Sequence, residues 1–80
     1  MSQTKGSYRV GISFNPSGNQ VVDQIKSKAA ELIDLVDAIP SDRETAQGKE
    51  AGRLKALAQT AIEEAAMWAV KAATKPAPEV

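Results

Sequence analysis

Apolar residues recur at spacings of four and three over two long stretches of the chain, and each stretch predicts a helix. In the later one, from Lys49 to Lys75, Leu54, Ala58, Ala61, Ala65, Trp68 and Ala72 draw one seam, and Leu57, Ile62, Ala66, Ala69 and Ala73 widen it. At about 100° per residue these positions span roughly half the circumference. Seven of the eleven are alanine, the strongest helix former and small enough to admit a second backbone. An arc this wide exceeds what one partner helix covers, so the helix is expected to meet at least two neighbours. Gln59, Thr60, Glu63, Glu64 and Lys71 fill most of the other side. In the earlier stretch Val22, Ile25, Ala29, Leu32, Val36 and Ile39 repeat at three and four, which predicts a helix over 18–39 that Pro40 stops.

The remaining segments follow from turn chemistry. Tyr8, Val10, Ile12 and Phe14 alternate with Arg9, Gly11 and Ser13, a period of two that suits extended backbone. One such run makes no sheet by itself, so 1–16 is expected to be an extended arm laid on a helix of this subunit or of a neighbour, with Met1 to Gly6 frayed. Ser17 and Gln20 have the capping-box spacing, as do Ser41 and Glu44. Gly48 and Gly52 each weaken a helix by roughly 1 kcal/mol relative to alanine, so 45–52 reads either as a loop or as the start of the second helix. Pro76 and Pro78 close that helix, and 76–80 is expected to be a disordered tail. The fold class is therefore all-α: two antiparallel helices forming a hairpin with an extended N-terminal arm, in one domain over 1–80.

Length and composition turn this hairpin into an expected assembly. A chain of 80 residues buries only about 60% of its unfolded surface. There is no cysteine for a disulfide, and Tyr8, Phe14 and Trp68 are the only aromatic residues. Small folds without such staples often rely on oligomerisation, so a homo-oligomer is expected. Ten basic and ten acidic residues give zero net charge, which argues against a DNA or RNA polymer as partner while leaving room for a compact anion held by a few placed cations. No apolar run reaches the roughly 18 residues that span a bilayer. MSQTKGSYRVG lacks the apolar core of a signal peptide, so action in the cytoplasm, away from membranes, is expected.

Histidine and cysteine are both absent, which removes the usual general base, the usual metal ligand and the strongest nucleophile. Adjacent Glu63 and Glu64 point about 100° apart on a helix and do not form the facing carboxylates of a glycosidase. The glycines are scattered, with no phosphate loop or dinucleotide fingerprint. The chain reads as a binding protein rather than an enzyme, with no cofactor or metal. Tyr8 and Arg9 sit together with Lys5 nearby, an aromatic face for a base beside cations for phosphate. Lys26 lies beside the first seam, Arg53 near the start of the second helix, and Thr60 offers a hydroxyl two turns on. For each residue taken singly, solvated surface polarity is the simpler reading.

The stretch ALAQTAIEEAAMWAVKAATK, Ala56 to Lys75, resembles the signature helix of a phage family written LALTKLEEAVMWAN, with Glu63 to Ala69 as its specific part. Phe14-Asn15-Pro16 is similar to that family's aromatic-plus-proline entry to the first helix, and Pro40 to Glu44 to its PPSRE turn. This is the hairpin-domain family shared by the phage anti-CBASS cyclic-nucleotide sponge and the Thoeris anti-defence sponge, and the resemblance runs from about Phe14 to Lys75. It implies an α-helical homo-oligomer, a hexamer in the anti-CBASS members, that captures immune second messengers in the infected bacterial host without cleaving them. Cyclic dinucleotides are implied to bind between subunits through residues matching Tyr8 and Lys26. An arginine matching Arg53 is associated with a separate pocket for cyclic trinucleotides, and Thr60 matches a threonine of the same helix. The segment between Tyr8 and Lys26 is longer than in the aligned sponge, which makes Phe14 a second candidate for stacking. A structural or adaptor oligomer that binds a protein, or a sponge for cyclic ADP-ribose-type signals, stays open as an alternative.

Overall fold

The structure is a computed structural model that describes residues 3–78. Those residues form three helices and no strand: α1 (Lys5–Val10), α2 (Gln20–Asp37) and α3 (Ala46–Ala73). The frayed start and the tail expected from the sequence fall partly on residues 1–2 and 79–80, which lie outside the described residues, while Pro76 to Pro78 carry no regular structure.

The arm is the first correction. Tyr8 to Val10, expected to be extended, are the end of α1. Thr4 caps this helix by accepting from the Ser7 N–H at 3.0 Å, and Gly11, with φ 62°, closes it in the left-handed region. A start cap and a left-handed stop seven positions apart define a short helix more strongly than four alternating apolar residues define a strand. Gly6 then fixes where α1 lies. Its N–H donates to Asp34 Oδ1 at 2.7 Å, and a Cβ there would overlap the Ala30 carbonyl, so only glycine lets the backbones of α1 and α2 approach this closely.

Both expected capping boxes give way to neighbouring residues. Asn19 caps α2, its Oδ1 accepting from the Val21 N–H at 2.8 Å. Thr45 caps α3, its Oγ1 accepting from the Gly48 N–H at 2.9 Å. The 45–52 stretch is thereby helical from Ala46 onward. Gly48 is buried there because a Cβ would run into the backbone of Asp42 in the preceding turn. Glycine at this position trades helix propensity for a close turn.

The start of α2 meets the end of α3, where Asn19 Nδ2 donates to the Ala73 carbonyl at 3.3 Å. The end of α2 meets the start of α3, where Lys55 Nζ reaches the carbonyls of Asp37 and Ile39 at 3.0 and 2.6 Å. The buried apolar core is small: Val22, Ala29, Ala30 and Ile33 from α2 and Ala66 from α3. The α2 seam is shifted from the expected one, since Ala30, Ile33 and Lys26 are buried while Leu32 and Ile39 stay about half exposed. The cause is α1, which packs on the Ala30 side of α2 and draws that side inward.

On α3 the departure is larger. The residues turned inward are Gly48, Gln59 and Ala66, whereas Leu54, Leu57 and Trp68 of the expected seam are each more than half exposed. Apolar periodicity records every surface a helix buries, and within one chain α2 covers only one edge of the α3 arc. The result is a slab with extents of 58 × 33 × 12 Å and a radius of gyration of 15.5 Å, against about 11.6 Å for a compact chain of this length.

Candidate functional site

A cleft of about 500 Å³ opens where α1 and α2 meet the middle of α3. Its polar side chains are Arg9 from α1, Lys26 from α2 and Thr60, Glu63 and Glu64 from α3, and Val10, Ala66, Met67 and Val70 form an apolar floor. The α3 contributors follow from helix geometry. Thr60, Glu63, Glu64 and Met67 stand three or four residues apart, so they line one face one above another.

Lys26 is buried at 7% exposure. Its ammonium donates to the carbonyls of Gly11, at 3.1 Å, and Phe14, and lies 5.2 Å from the Phe14 ring centroid. The charge thus sits on two carbonyls of the turn after α1, one of which, that of Gly11, also accepts from the Phe14 N–H at 2.9 Å, and the ring face favours a cation there. An ammonium carries three protons, so Lys26 keeps one N–H for a further acceptor. Arg9 donates from Nε and Nη2 to Glu63 Oε2, at 3.1 and 2.6 Å. The carboxylate holds one edge of the guanidinium and leaves the other edge's donors unspent. The structure therefore brings Arg9, Lys26 and Thr60 into one cleft.

Other residues singled out by sequence are placed elsewhere. Tyr8 is 76% exposed on the outer side of α1, and Phe14 is 71% exposed with its ring beside the Lys26 ammonium. Within the single chain Lys26 binds its own arm, because two carbonyls of the 11–14 turn lie within reach. Lys5 points away from Arg9, to Asp37 at 3.1 Å and Gln59 at 3.2 Å. That ammonium hydrogen bond, with the one from Gln59, holds the Asp37 carboxyl below its usual range. Arg53 pairs with Glu50 three residues before it, at 2.7 and 2.8 Å. The hydrogen bonds from Arg53 lower the Glu50 carboxyl, and the same pairing raises the guanidinium. Arg53 does not line the cleft, and Thr60 does.

Sequence reasoning missed the roles of Glu63 and Met67. The available signal was the shared helix face of Thr60, Glu63 and Met67, which a search for paired catalytic carboxylates passes over. Among the described residues no three His, Cys, Asp or Glu side chains are grouped to hold a metal ion, and no helix is long and apolar enough to cross a membrane.

No curated protein and no solved structure matches the chain. A family does: the Acb2/Tad1 hairpin domain matches residues 6–74, nearly the whole sequence, including α1 after Lys5, the cleft and the full length of α3. The chain belongs to the Acb2/Tad1 hairpin-domain family, that of the anti-CBASS and Thoeris anti-defence sponges, which bind cyclic nucleotides.

Proposed function

We propose that this chain binds and sequesters cyclic oligonucleotide immune second messengers, without cleaving them, in the cytoplasm of the infected bacterial host. The observation that carries the reading is the convergence of Arg9, Lys26 and Thr60 on one cleft with an apolar floor. Phosphate takes the free guanidinium edge and the remaining ammonium proton, and a base lies against Met67 and Val70. A charge-assisted hydrogen bond of this kind contributes roughly 1.5–3 kcal/mol. Tyr8 and Phe14 stand exposed on either side of the arm turn, each available to stack on a ligand held between subunits.

Assembly belongs to the same proposal: a homohexamer of antiparallel hairpins. The antiparallel arrangement is supported by the Asn19–Ala73 and Lys55–Ile39 contacts at opposite ends of the helix pair. The single chain exposes 6103 Å², where a compact monomer of this mass exposes roughly 4,700 Å². The surplus is of the size a stable interface buries, and Leu54, Leu57 and Trp68 supply its apolar part. Arg53, set apart from the cleft, serves cyclic trinucleotides in a separate pocket where copies from several subunits converge on a symmetry axis.

Calorimetric titration of the purified protein and two variants with cyclic dinucleotides and cyclic trinucleotides tests these assignments together. Lys26→Ala is expected to weaken cyclic dinucleotides by about tenfold to a hundredfold with trinucleotides spared, and Arg53→Ala to do the reverse. Intact ligand recovered after denaturing the complex distinguishes capture from cleavage. Silence of the parent protein across the panel favours an adaptor that binds a protein partner, and equal loss of one ligand in both variants means a single shared pocket.

A further inference from the structure

Glu64 is the cleft residue that phosphate binding leaves without a role. Its neighbour Glu63 is occupied by Arg9, but among the described residues the Glu64 carboxylate has only a long contact of 3.4 Å from the Trp68 indole N–H. In the open cleft water solvates it. A nucleotide that covers the cleft removes that water and brings phosphate charge nearby, so the carboxylate opposes binding unless the ligand supplies donors in return.

We infer that Glu64, with Thr60 one turn before it, reads the Watson–Crick edge of a guanine; the inference rests on the cyclic-nucleotide reading of this cleft. Guanine offers two adjacent donors, N1–H and the N2 amino group, which a carboxylate accepts together, with the O6 acceptor beside them. Thr60 and Glu64 lie at i and i+4 on the same helix face, about 6 Å apart, and both line the cleft. The hydroxyl donates to O6 while the carboxylate takes N1–H and N2–H, and Met67 at the next position along this face meets the ring. Adenine and cytosine each place a ring-nitrogen acceptor beside a single amino donor, so one carboxylate oxygen faces a lone pair. Uracil has one N–H between two carbonyls. The arrangement therefore favours guanine-bearing cyclic dinucleotides.

The test compares cyclic di-GMP with cyclic di-AMP, which share the sugar–phosphate ring and differ only in base, on the parent protein, Glu64→Gln and Lys26→Ala. The parent is expected to favour cyclic di-GMP by at least about tenfold, within the range that a bidentate base contact discriminates. Glu64→Gln collapses that preference by weakening cyclic di-GMP while cyclic di-AMP holds or improves, because an amide presents the donor and acceptor that adenine needs. Lys26→Ala weakens both ligands alike, since both carry the same phosphates. Glu64 is exposed in the single chain, and unchanged helical circular dichroism checks the fold of each variant; Glu64→Asp, which keeps the charge on a shorter stem, is expected to fall between parent and Glu64→Gln. A di-GMP to di-AMP ratio that Glu64→Gln leaves unchanged overturns the guanine assignment while the cyclic-nucleotide reading stands. A parent protein that binds neither ligand overturns the guanine assignment, and silence across the wider panel of cyclic dinucleotides and trinucleotides overturns the cyclic-nucleotide reading as well.

Discussion

Lys26 and Lys55 do the same local job at two separate places in the molecule. Each reaches out of a long helix to two backbone carbonyls where the chain leaves another: Lys26 takes Gly11 and Phe14 after α1, and Lys55 takes Asp37 and Ile39 after α2. Their surroundings differ. Lys26 is buried beside a cleft floored by Val10, Ala66, Met67 and Val70. Lys55 lies in a polar recess among Lys5, Arg43 and Lys49, and its third contact is the Ser41 hydroxyl at 3.4 Å. The recess by the turn has more cations, yet it offers little apolar surface for a ring, and the Lys55 ammonium has all three of its donors on the protein's own acceptors. Positive charge by itself does not make a nucleotide site; a cation with a spare donor beside an apolar floor is a better one.

The strongest way to break this comparison is at Gly6. Gly6→Val places side-chain atoms where the Ala30 carbonyl lies, at a cost of about 1–3 kcal/mol or more, and should undock α1. Hydrogen exchange is then expected to lose protection over 5–14 while α2 and α3 keep theirs, and ligand binding should fall with the Arg9 wall. An arm still protected in this variant would mean that Lys26 alone suffices to hold it.

A matched pair sharpens the contrast between the two lysines. Lys26→Met removes a buried ammonium from two part-buried carbonyl contacts and is expected to cost about 1–3 kcal/mol together with ligand affinity. Lys55→Met, whose carbonyl contacts are open to solvent so that water replaces the ammonium, should cost about 1 kcal/mol or less and leave affinity unchanged. Urea denaturation and calorimetry on both variants give the four numbers, and equal stability losses would erase the distinction drawn from burial.

The smallest effect is at the Lys5–Asp37 contact. The Asp37 carboxyl is held below its ordinary value of 3.8, chiefly by the hydrogen bond from Lys5. A depressed folded value means that its contribution is fully present above the unfolded value and is lost as pH falls through the folded one. Acid thermal melts of Asp37→Asn should therefore decline less steeply below the carboxylate range than those of the parent, by a small margin because the pair is exposed. Identical slopes would show that the contact adds nothing at this end.

The two long helices were legible because apolar spacing and Pro40 mark them directly. Their facing was not. Val22 and Ala29 belong to both the expected and the observed α2 seam, but Ala30 and Ile33 turn inward because α1 docks through Gly6, a contact between residues far apart in sequence. On α3 the most apolar stripe is the one α2 leaves uncovered, so periodicity pointed to a surface of the single chain rather than to its core. Within the cleft, Arg9, Lys26 and Thr60 drew attention by residue type, whereas Glu63 did not, since an acidic residue on a helix face usually means only solvation. Its significance depends on an arginine 54 positions away.

At 12 Å in its shortest dimension, the chain is about as thick as one helix with its side chains. Heating should reveal this geometry. A single layer has little interior to expose, so an isolated subunit would unfold with a small heat-capacity change and a broad, weakly cooperative transition. If other copies cover the outer stripe, as proposed, folding is linked to mass action and the melting temperature is expected to climb with the logarithm of protein concentration. In the proposed assembly, capture and stability would respond to the same variable, the amount of protein made, and both would be lost together at low dose.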